Sequence, residues 1–124
     1  MVSWELSLEP AAGSVKVGRD LVRRVLTGLD QGSVETAAEL TDELVSNAVV
    51  HGRPPITLAV SRDDHAVNVA VTDSGPGMPV LRPEPHIAEN GRGLVIVDVL
   101  SEQWGVDRLP GRKRVWFRME ASDP

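Results

Sequence analysis

Cysteine is absent from this chain, and its apolar residues come in short runs. Without a thiol, neither a disulfide framework nor a thiolate metal site can form, and the three histidines, His51, His65 and His86, lack the spacing of a zinc cluster. A membrane-spanning helix needs about twenty consecutive apolar residues, and a signal peptide needs a charged segment before an apolar one. The sequence has neither pattern, so we expect a cytoplasmic protein with no membrane partner.

Positive charge is also scarce, since 13 lysines and arginines face 18 acidic residues and the formal net charge is -5. A surface that follows nucleic-acid phosphates needs an excess of basic residues. We therefore expect no direct contact with nucleic acid. A chain of 124 residues that is 41% hydrophobic suits one domain, spanning 1–124, with a single core.

The first third of the chain predicts a strand and two helices. Trp4, Leu6 and Leu8 alternate with polar residues before Pro10, which is typical of an edge strand. Helical spacing then extends from Ala11 to about Leu29. Its apolar positions are Val17, Leu21, Val25 and Leu29, and Gly28 and Gly32 mark its end.

A second helix is predicted after Ser33, which is a favourable N-cap residue. Strong helix formers follow from Thr36 to Val50, until Gly52 and the Pro54-Pro55 pair end the pattern. At one hundred degrees per residue, the face toward the rest of the domain consists of Ala37, Leu40, Leu44 and Ala48.

Alternating apolar residues predict four further strands in two hairpins. The alternating positions are Ile56/Leu58/Val60, Val67/Val69/Val71, Trp104/Val106 and Val115/Phe117/Met119. The Gly- and Pro-rich segment from Ser74 to Gly91 predicts a long loop, and "GRGLVIVDVL" a third helix. This order predicts an α+β fold, a two-layer sandwich with a mostly antiparallel mixed sheet and helices on one face.

A carboxylate lies where a hydrophobic residue is expected. In "VNVAVTDSGPGMP" the two-residue period that buries Val67, Val69 and Val71 also places Asp73 on the buried side. On the second helix, Glu43 and Asn47 lie one turn apart along the margin of the apolar face. Burying such groups without partners costs about 1 kcal/mol to several kcal/mol each, so something must satisfy them.

These polar groups and two glycine-framed segments could border one cavity. Gly91-Arg92-Gly93 begins the predicted third helix, where backbone N–H groups and the helix dipole favour an anion such as phosphate. Together the groups suit a nucleotide with Mg²⁺. Each signal also has an ordinary structural interpretation: a turn for the glycines, turn capping for Asp73, and a solvated helix edge for Glu43 and Asn47.

Three motifs in this order, "ELVSNAVVHG", "DSGPGMP" and "GRGL", resemble the N, G1 and G2 boxes of the GHKL (Bergerat) ATP-binding fold. Among its members the chain most resembles the anti-sigma factor serine kinases of bacteria. The resemblance covers nearly the whole chain. It implies ATP and Mg²⁺ as cofactors.

The resemblance also implies a role for each matching residue. Glu43 would be the general base, Asn47 the Mg²⁺ ligand, and Asp73 the acceptor for the exocyclic amino group of adenine. Residues from Met78 to Asn90 would form a lid over the phosphates. The ATP-binding set is Asn47, Asp73, Gly75, Gly77, Met78, Gly91, Arg92, Gly93 and Leu94.

Some positions depart from the pattern of that family. Its last box usually has a threonine near the base, where this chain has Lys113 or Arg114. A lid cation would have to be Arg92 or, as a weaker candidate, Arg82. Arg19 loosely matches a position that touches protein partners, and it can equally be a solvated helix arginine.

The resemblance predicts a serine/threonine protein kinase that also binds a sigma factor. Its substrate would be a STAS-type antagonist (anti-anti-sigma) protein. The alternative is a non-catalytic nucleotide-binding module that gates protein binding. A sensor histidine kinase domain is disfavoured because no histidine-bearing dimerisation helices precede the domain. The exposed N-terminal strand could pair with that of a second copy, giving a homodimer.

Overall fold

The computed structural model describes residues 2–63, 65–75 and 103–120. These ranges contain two helices and five strands. They are β1 (Val2–Leu8), α1 (Gly13–Val25), α2 (Gln31–His51), β2 (Ile56–Arg62), β3 (Ala66–Asp73), β4 (Gln103–Leu109) and β5 (Arg112–Glu120). Neither α1 nor α2 is long and apolar enough to cross a membrane.

The five strands form one sheet in the order β1-β2-β3-β5-β4, and each neighbouring pair is antiparallel. β5 therefore lies between β3 and β4, although it follows both in the chain. In β3 and β5 every second residue is buried, including Val69, Val71 and Phe117, and these residues join the helices in one core. The predicted α+β fold is confirmed, with a sheet that is antiparallel throughout its described strands.

The predicted apolar face of α2 is confirmed. Ala37, Leu40, Leu44 and Ala48 are all buried, because they follow the helical period that turns one face toward the sheet. The start of the helix differs from the prediction. Asp30 is the N-cap, its Oδ2 accepting from the backbone N–H of Ser33 at 3.0 Å, so Ser33 and Gly32 lie inside the first turn.

The predicted face of α1 is partly wrong. Val17 is 47% exposed, whereas the predicted positions Val25 and Leu29 are buried and Leu21 is partly buried against the core. Ser14, Gly18 and Val22 are buried as well, although the prediction did not include them. Gly18 lets α1 approach α2 and β2 closely, because a Cβ built there would lie 3.2 Å from Val45 and 3.3 Å from Leu58. The helix also ends at Val25 rather than near Leu29, and Gly28, with φ +94°, turns the chain toward α2.

The predicted strands are confirmed. β1 is an edge strand, β2 and β3 form a hairpin, and β4 and β5 form a second hairpin at a turn where Gly111 has φ +70°. Most of the predicted loop from Ser74 to Gly91, and the predicted helix at 91–100, lie outside the described residues.

Candidate functional site

Asp73 is the last residue of β3, and it is 1% exposed. Its side chain continues the row of Val67, Val69 and Val71, which face the helices. The predicted burial of this carboxylate is therefore confirmed. A buried carboxylate needs hydrogen-bond donors or an opposite charge, and the structure provides both.

One carboxylate oxygen of Asp73 is held by the backbone. Oδ1 accepts from the N–H of Gly75 at 2.6 Å and, more weakly, from the N–H of Arg53 at 3.4 Å. Ser74 joins the same two segments, since its N–H donates to the carbonyl of Arg53 at 2.9 Å. The interpretation of Asp73 as a turn-capping residue is thus correct for Oδ1, and these bonds fix the orientation of the whole carboxylate.

Two glycines leave room for this arrangement. A Cβ at Gly52 would lie 2.6 Å from both the carbonyl oxygen of Ala48 and Cγ of Asp73. A Cβ at Gly75 would lie 2.8 Å from Oδ1 of Asp73. The sequence indicates Gly52 as the end of a helix, which it is, but gives no signal that this residue also packs against Asp73.

The other oxygen of Asp73 faces a lysine. Oδ2 lies 3.9 Å from Nζ of Lys113, and the two side chains are 2% and 6% exposed. Lys113 is the partner of Asp73 in the β3–β5 register, which explains why the two meet. Arg114 points to the other side of the sheet, where it is exposed and pairs with Asp107 at 2.6 Å. The residue opposite the buried carboxylate is therefore Lys113.

Glu43 and Asn47 lie on α2, one turn apart, and both are half-buried. The Nδ2 atom of Asn47 is buried and has no hydrogen-bond partner among the described residues. Because Gly52 ends this helix beside Asp73, Glu43 and Asn47 are carried by the element that reaches the buried carboxylate. The polar margin predicted for the second helix is present.

Arg19 contacts α2 within the chain. Its guanidinium lies 3.2 Å from Oδ2 of Asp42, and Arg23 forms a second ion pair with Glu35 at 2.9 Å. Burial raises the pKa of Asp42, while the charge of Arg19 and its hydrogen bond act in the opposite direction. Arg19 therefore has an intramolecular role in joining α1 to α2.

The remaining predicted site residues lie outside the described residues. They are Gly77, Met78, Arg82, Gly91, Arg92, Gly93 and Leu94. The structure brings Asp73 together with Gly75 and Lys113, and Glu43 and Asn47 lie on α2, whose C-cap Gly52 packs against Asp73.

The profile of the histidine kinase-like ATPase domain family matches residues 8–119, and the chain therefore belongs to this family. The family is one of ATPase domains, so ATP is the nucleotide that it implies. A solved structure, that of the RsbU and RsbW domains of Rv1364c from Mycobacterium tuberculosis, has the same fold with a TM-score of 0.76. The match covers 100% of this chain and 34% of the other, at 20% sequence identity.

Two curated proteins of Streptomyces coelicolor are similar over parts of the chain. The signal transduction histidine-protein kinase AfsQ2 is 44% identical over 36 residues, which are 29% of this chain and 7% of that protein. The uncharacterized protein SCO4941 is 37% identical over 62 residues, 48% of this chain and 58% of that protein. The chain thus matches less than two thirds of the length of each of these relatives.

Proposed function

We propose that the protein binds ATP with Mg²⁺ and transfers the terminal phosphoryl group to a serine or threonine of an antagonist protein. In this proposal it also holds a sigma factor in the cytoplasm and exchanges it for a STAS-type anti-anti-sigma protein. The observation that carries the proposal is the buried carboxylate of Asp73. Its orientation is fixed by the backbone N–H groups of Gly75, which follows β3, and of Arg53, which follows α2.

Asp73 is suited to recognise the amino group of adenine. Among the described residues, two backbone N–H groups donate to Oδ1, whereas Oδ2 lies beyond hydrogen-bond distance from Lys113 and is the oxygen that can accept an N–H of the base. A hydrogen bond to a buried charged group contributes about 1.5–3 kcal/mol. Gly52 and Gly75 support the same role, because a side chain at either would displace the carboxylate.

Asn47 is suited to hold Mg²⁺. Its amide end is buried with Nδ2 lacking a hydrogen bond to the described residues, and rotation about the last side-chain bond can exchange nitrogen and oxygen. An amide oxygen is a ligand that Mg²⁺ accepts together with substrate phosphates. Bound there, the metal ion would neutralise the charge of the phosphates.

Glu43 is suited to be the general base. It lies one turn before Asn47 on the same side of α2. If Asn47 holds the Mg²⁺ that binds the phosphates, a hydroxyl group that attacks the terminal phosphate would therefore lie near Glu43. A positioned carboxylate can accept the proton of the attacking hydroxyl, and Glu43 is a half-buried carboxylate on this side of α2. Gly77 is proposed to let the backbone approach the nucleotide, and Met78 to begin the lid over the phosphates. Gly91, Gly93 and Leu94 are proposed to close on the phosphates, with Arg92 supplying positive charge.

Arg19 is proposed as a contact for the protein partners, from its place on α1. Its pairing with Asp42 leaves the side chain 33% exposed, so the guanidinium still reaches the surface. The mycobacterial structure that shares this fold includes an RsbW domain, and this likeness motivates the partner class proposed here.

A phosphotransfer assay with the variant Glu43→Gln tests the proposal. Wild-type protein, radiolabelled ATP, Mg²⁺ and a candidate STAS-domain protein should give an acid-stable phosphoprotein. Because a positioned general base contributes about 100-fold or more, Glu43→Gln should lower the transfer rate by about that factor while ATP affinity stays near wild type. Rates are measured by single-turnover quench.

Glu39→Gln is the matched control, because Glu39 lies one turn earlier on α2 and is exposed. It should leave the transfer rate unchanged. ATP binding without any transfer by the wild type would support the non-catalytic module instead. An acid-labile product would indicate a phosphohistidine and contradict the proposed serine or threonine substrate.

A further inference from the structure

Lys113 is a buried cation beside the carboxylate that is proposed to bind adenine. Its side chain is 6% exposed, and its Nζ lies 3.9 Å from Oδ2 of Asp73. A surface lysine keeps its ammonium group in water, so a lysine on the core-facing side of a central strand requires a reason. An ion pair with Asp73 is one reason, but at 3.9 Å the two groups are not directly hydrogen-bonded.

The register between β3 and β5 fixes the position of Lys113 relative to Asp73. All of β3 is paired with β5, and Asp73 lies opposite Lys113 at the end of the ladder. The nearest pair on the same face of the sheet is Val71 opposite Val115. Because a shift by one residue would turn the buried side chains of β5 to the other face, Lys113 cannot exchange places with Arg114. The carboxylate of Asp73 and the ammonium group of Lys113 are therefore presented side by side where the β3–β5 ladder ends.

The acceptor Oδ2 of Asp73 and the donor Nζ of Lys113 together match the hydrogen-bonding groups along one edge of adenine. This edge carries an amino group, which donates, next to the ring nitrogen N1, which accepts. Within the described part of the chain, the backbone N–H groups bond to Oδ1 of Asp73 and not to Oδ2, so Oδ2 is the oxygen that can take the amino group. The ammonium group has three N–H donors, so Lys113 can keep its contacts within the protein and still donate to N1.

We propose that Lys113 is a specificity-determining residue of the nucleotide site, donating a hydrogen bond to N1 of the adenine whose amino group is bound by Asp73. This inference rests on the proposed ATP binding and adds a second base contact to it. The contact would be made by a charged donor in a buried environment, where such bonds contribute most.

A thermodynamic cycle, in which two forms of the protein are each titrated with two nucleotides, tests the inference. The two nucleotides are ATP and 1-deaza-ATP, in which a C–H group replaces N1. Affinities are measured by calorimetric titration in Mg²⁺ for the wild type and for Lys113→Met. The wild type should bind 1-deaza-ATP about tenfold more weakly than ATP, whereas Lys113→Met should bind both nucleotides equally and at the weaker level.

Arg114→Met is the matched control, since it removes the same charge from the neighbouring residue on the opposite face of β5. It should keep the full preference for ATP. Lys113→Met also leaves Asp73 without its ionic partner, so thermal unfolding is recorded for every variant. Lys113→Gln retains an N–H donor and provides a second comparison, in which part of the preference for ATP should remain.

Three results would overturn the inference. The first is a wild type that binds the two nucleotides equally, and the second is an undiminished preference in both Lys113 variants. The third is tighter ATP binding by Lys113→Met, because it would mean that Lys113 fills the space of the base. In each of these cases ATP binding itself, and with it the proposed function, would stand. A wild type that binds no ATP would overturn both.

Discussion

At the scale of single residues, Gly52 shows how little space surrounds the buried carboxylate. Its φ is -87°, which any residue can adopt, so conformational freedom does not explain a glycine here. The explanation is contact: a Cβ would lie 2.6 Å from the backbone oxygen of Ala48 and from Cγ of Asp73. The backbone oxygen cannot move without disturbing the last turn of α2.

Gly52→Ala should therefore destabilise the protein and displace Asp73. Overpacking of this kind lowers the free energy of unfolding by about 1–3 kcal/mol, measured by urea denaturation. ATP affinity should fall as well, measured by titration. Gly13→Ala is the control, because a Cβ there meets nothing within 4 Å, and its stability should be unchanged or slightly higher. Equal stability of the two variants would contradict the close contact at Gly52.

Several residue assignments could be predicted from the sequence, and others could not. The burial of Asp73 follows from the two-residue period of β3, and the buried face of α2 follows from its helical period. The packing roles of Gly18 and Gly52 could not be predicted, because a glycine gives no hydrophobic signal when it allows two elements to approach. The period of β5 places Lys113 on the buried face, but its pairing with Asp73 depends on the register between β3 and β5, which neither strand reveals by itself.

Among the secondary-structure elements, the helices α1 and α2 are joined to each other by two ion pairs, Arg19–Asp42 and Arg23–Glu35. Asp42 is the most buried acidic group of this contact, with a side chain that is 26% exposed, and its Oδ1 has no hydrogen-bond partner among the described residues. Burial raises the pKa of Asp42, with Glu39 as a smaller contribution in the same direction, and Arg19 and Arg23 oppose this shift. Charging Asp42 is therefore less favourable in the folded protein than in the unfolded chain.

The variant Asp42→Asn should gain stability relative to the wild type as the pH rises. A carboxyl group whose pKa is raised by folding stabilises the folded state below its ordinary pKa of 3.8, and this contribution is lost as the pH rises through the folded value. The difference in unfolding free energy, variant minus wild type, should thus increase from below pH 3.8 to neutral pH. Urea denaturation at a series of pH values measures it.

Asp20→Asn is a control with the opposite sign. The hydrogen bond from Lys16 lowers the pKa of Asp20, so its contribution is present above the ordinary pKa and is lost as the pH falls. Relative to the wild type, this variant should therefore lose stability as the pH rises. Parallel pH dependence of the two variants would show that burial does not control Asp42.

At the scale of the whole molecule, the sheet has a protected centre and exposed edges. β3 is paired with β2 on one side and with β5 on the other, whereas β1 and β4 each have a single described neighbour. The central strands also contribute the most buried side chains, among them Val67 and Phe117 at 0% exposure. Opening the centre requires the loss of two ladders and of the core beneath them.

Native-state hydrogen exchange should follow this order. The amides of β3 that donate to β2 or β5 should exchange at least about tenfold more slowly than the paired amides of β1. Peptide-resolved exchange with mass spectrometry measures the two rates on the same sample. Exchange of β1 at the rate of β3 would mean that the N-terminal strand is covered in solution, as self-pairing in a homodimer would require.

The position of β5 has a consequence for synthesis on the ribosome. β5 is the last described strand in the chain, yet it lies between two strands that precede it. A nascent chain that ends before Arg112 carries β3 with one unpaired edge and Asp73 without its lysine, and such edges invite association with other chains. The proposed nucleotide site would therefore be complete only when translation has passed β5, so ATP binding by nascent chains would report when β5 has joined the sheet.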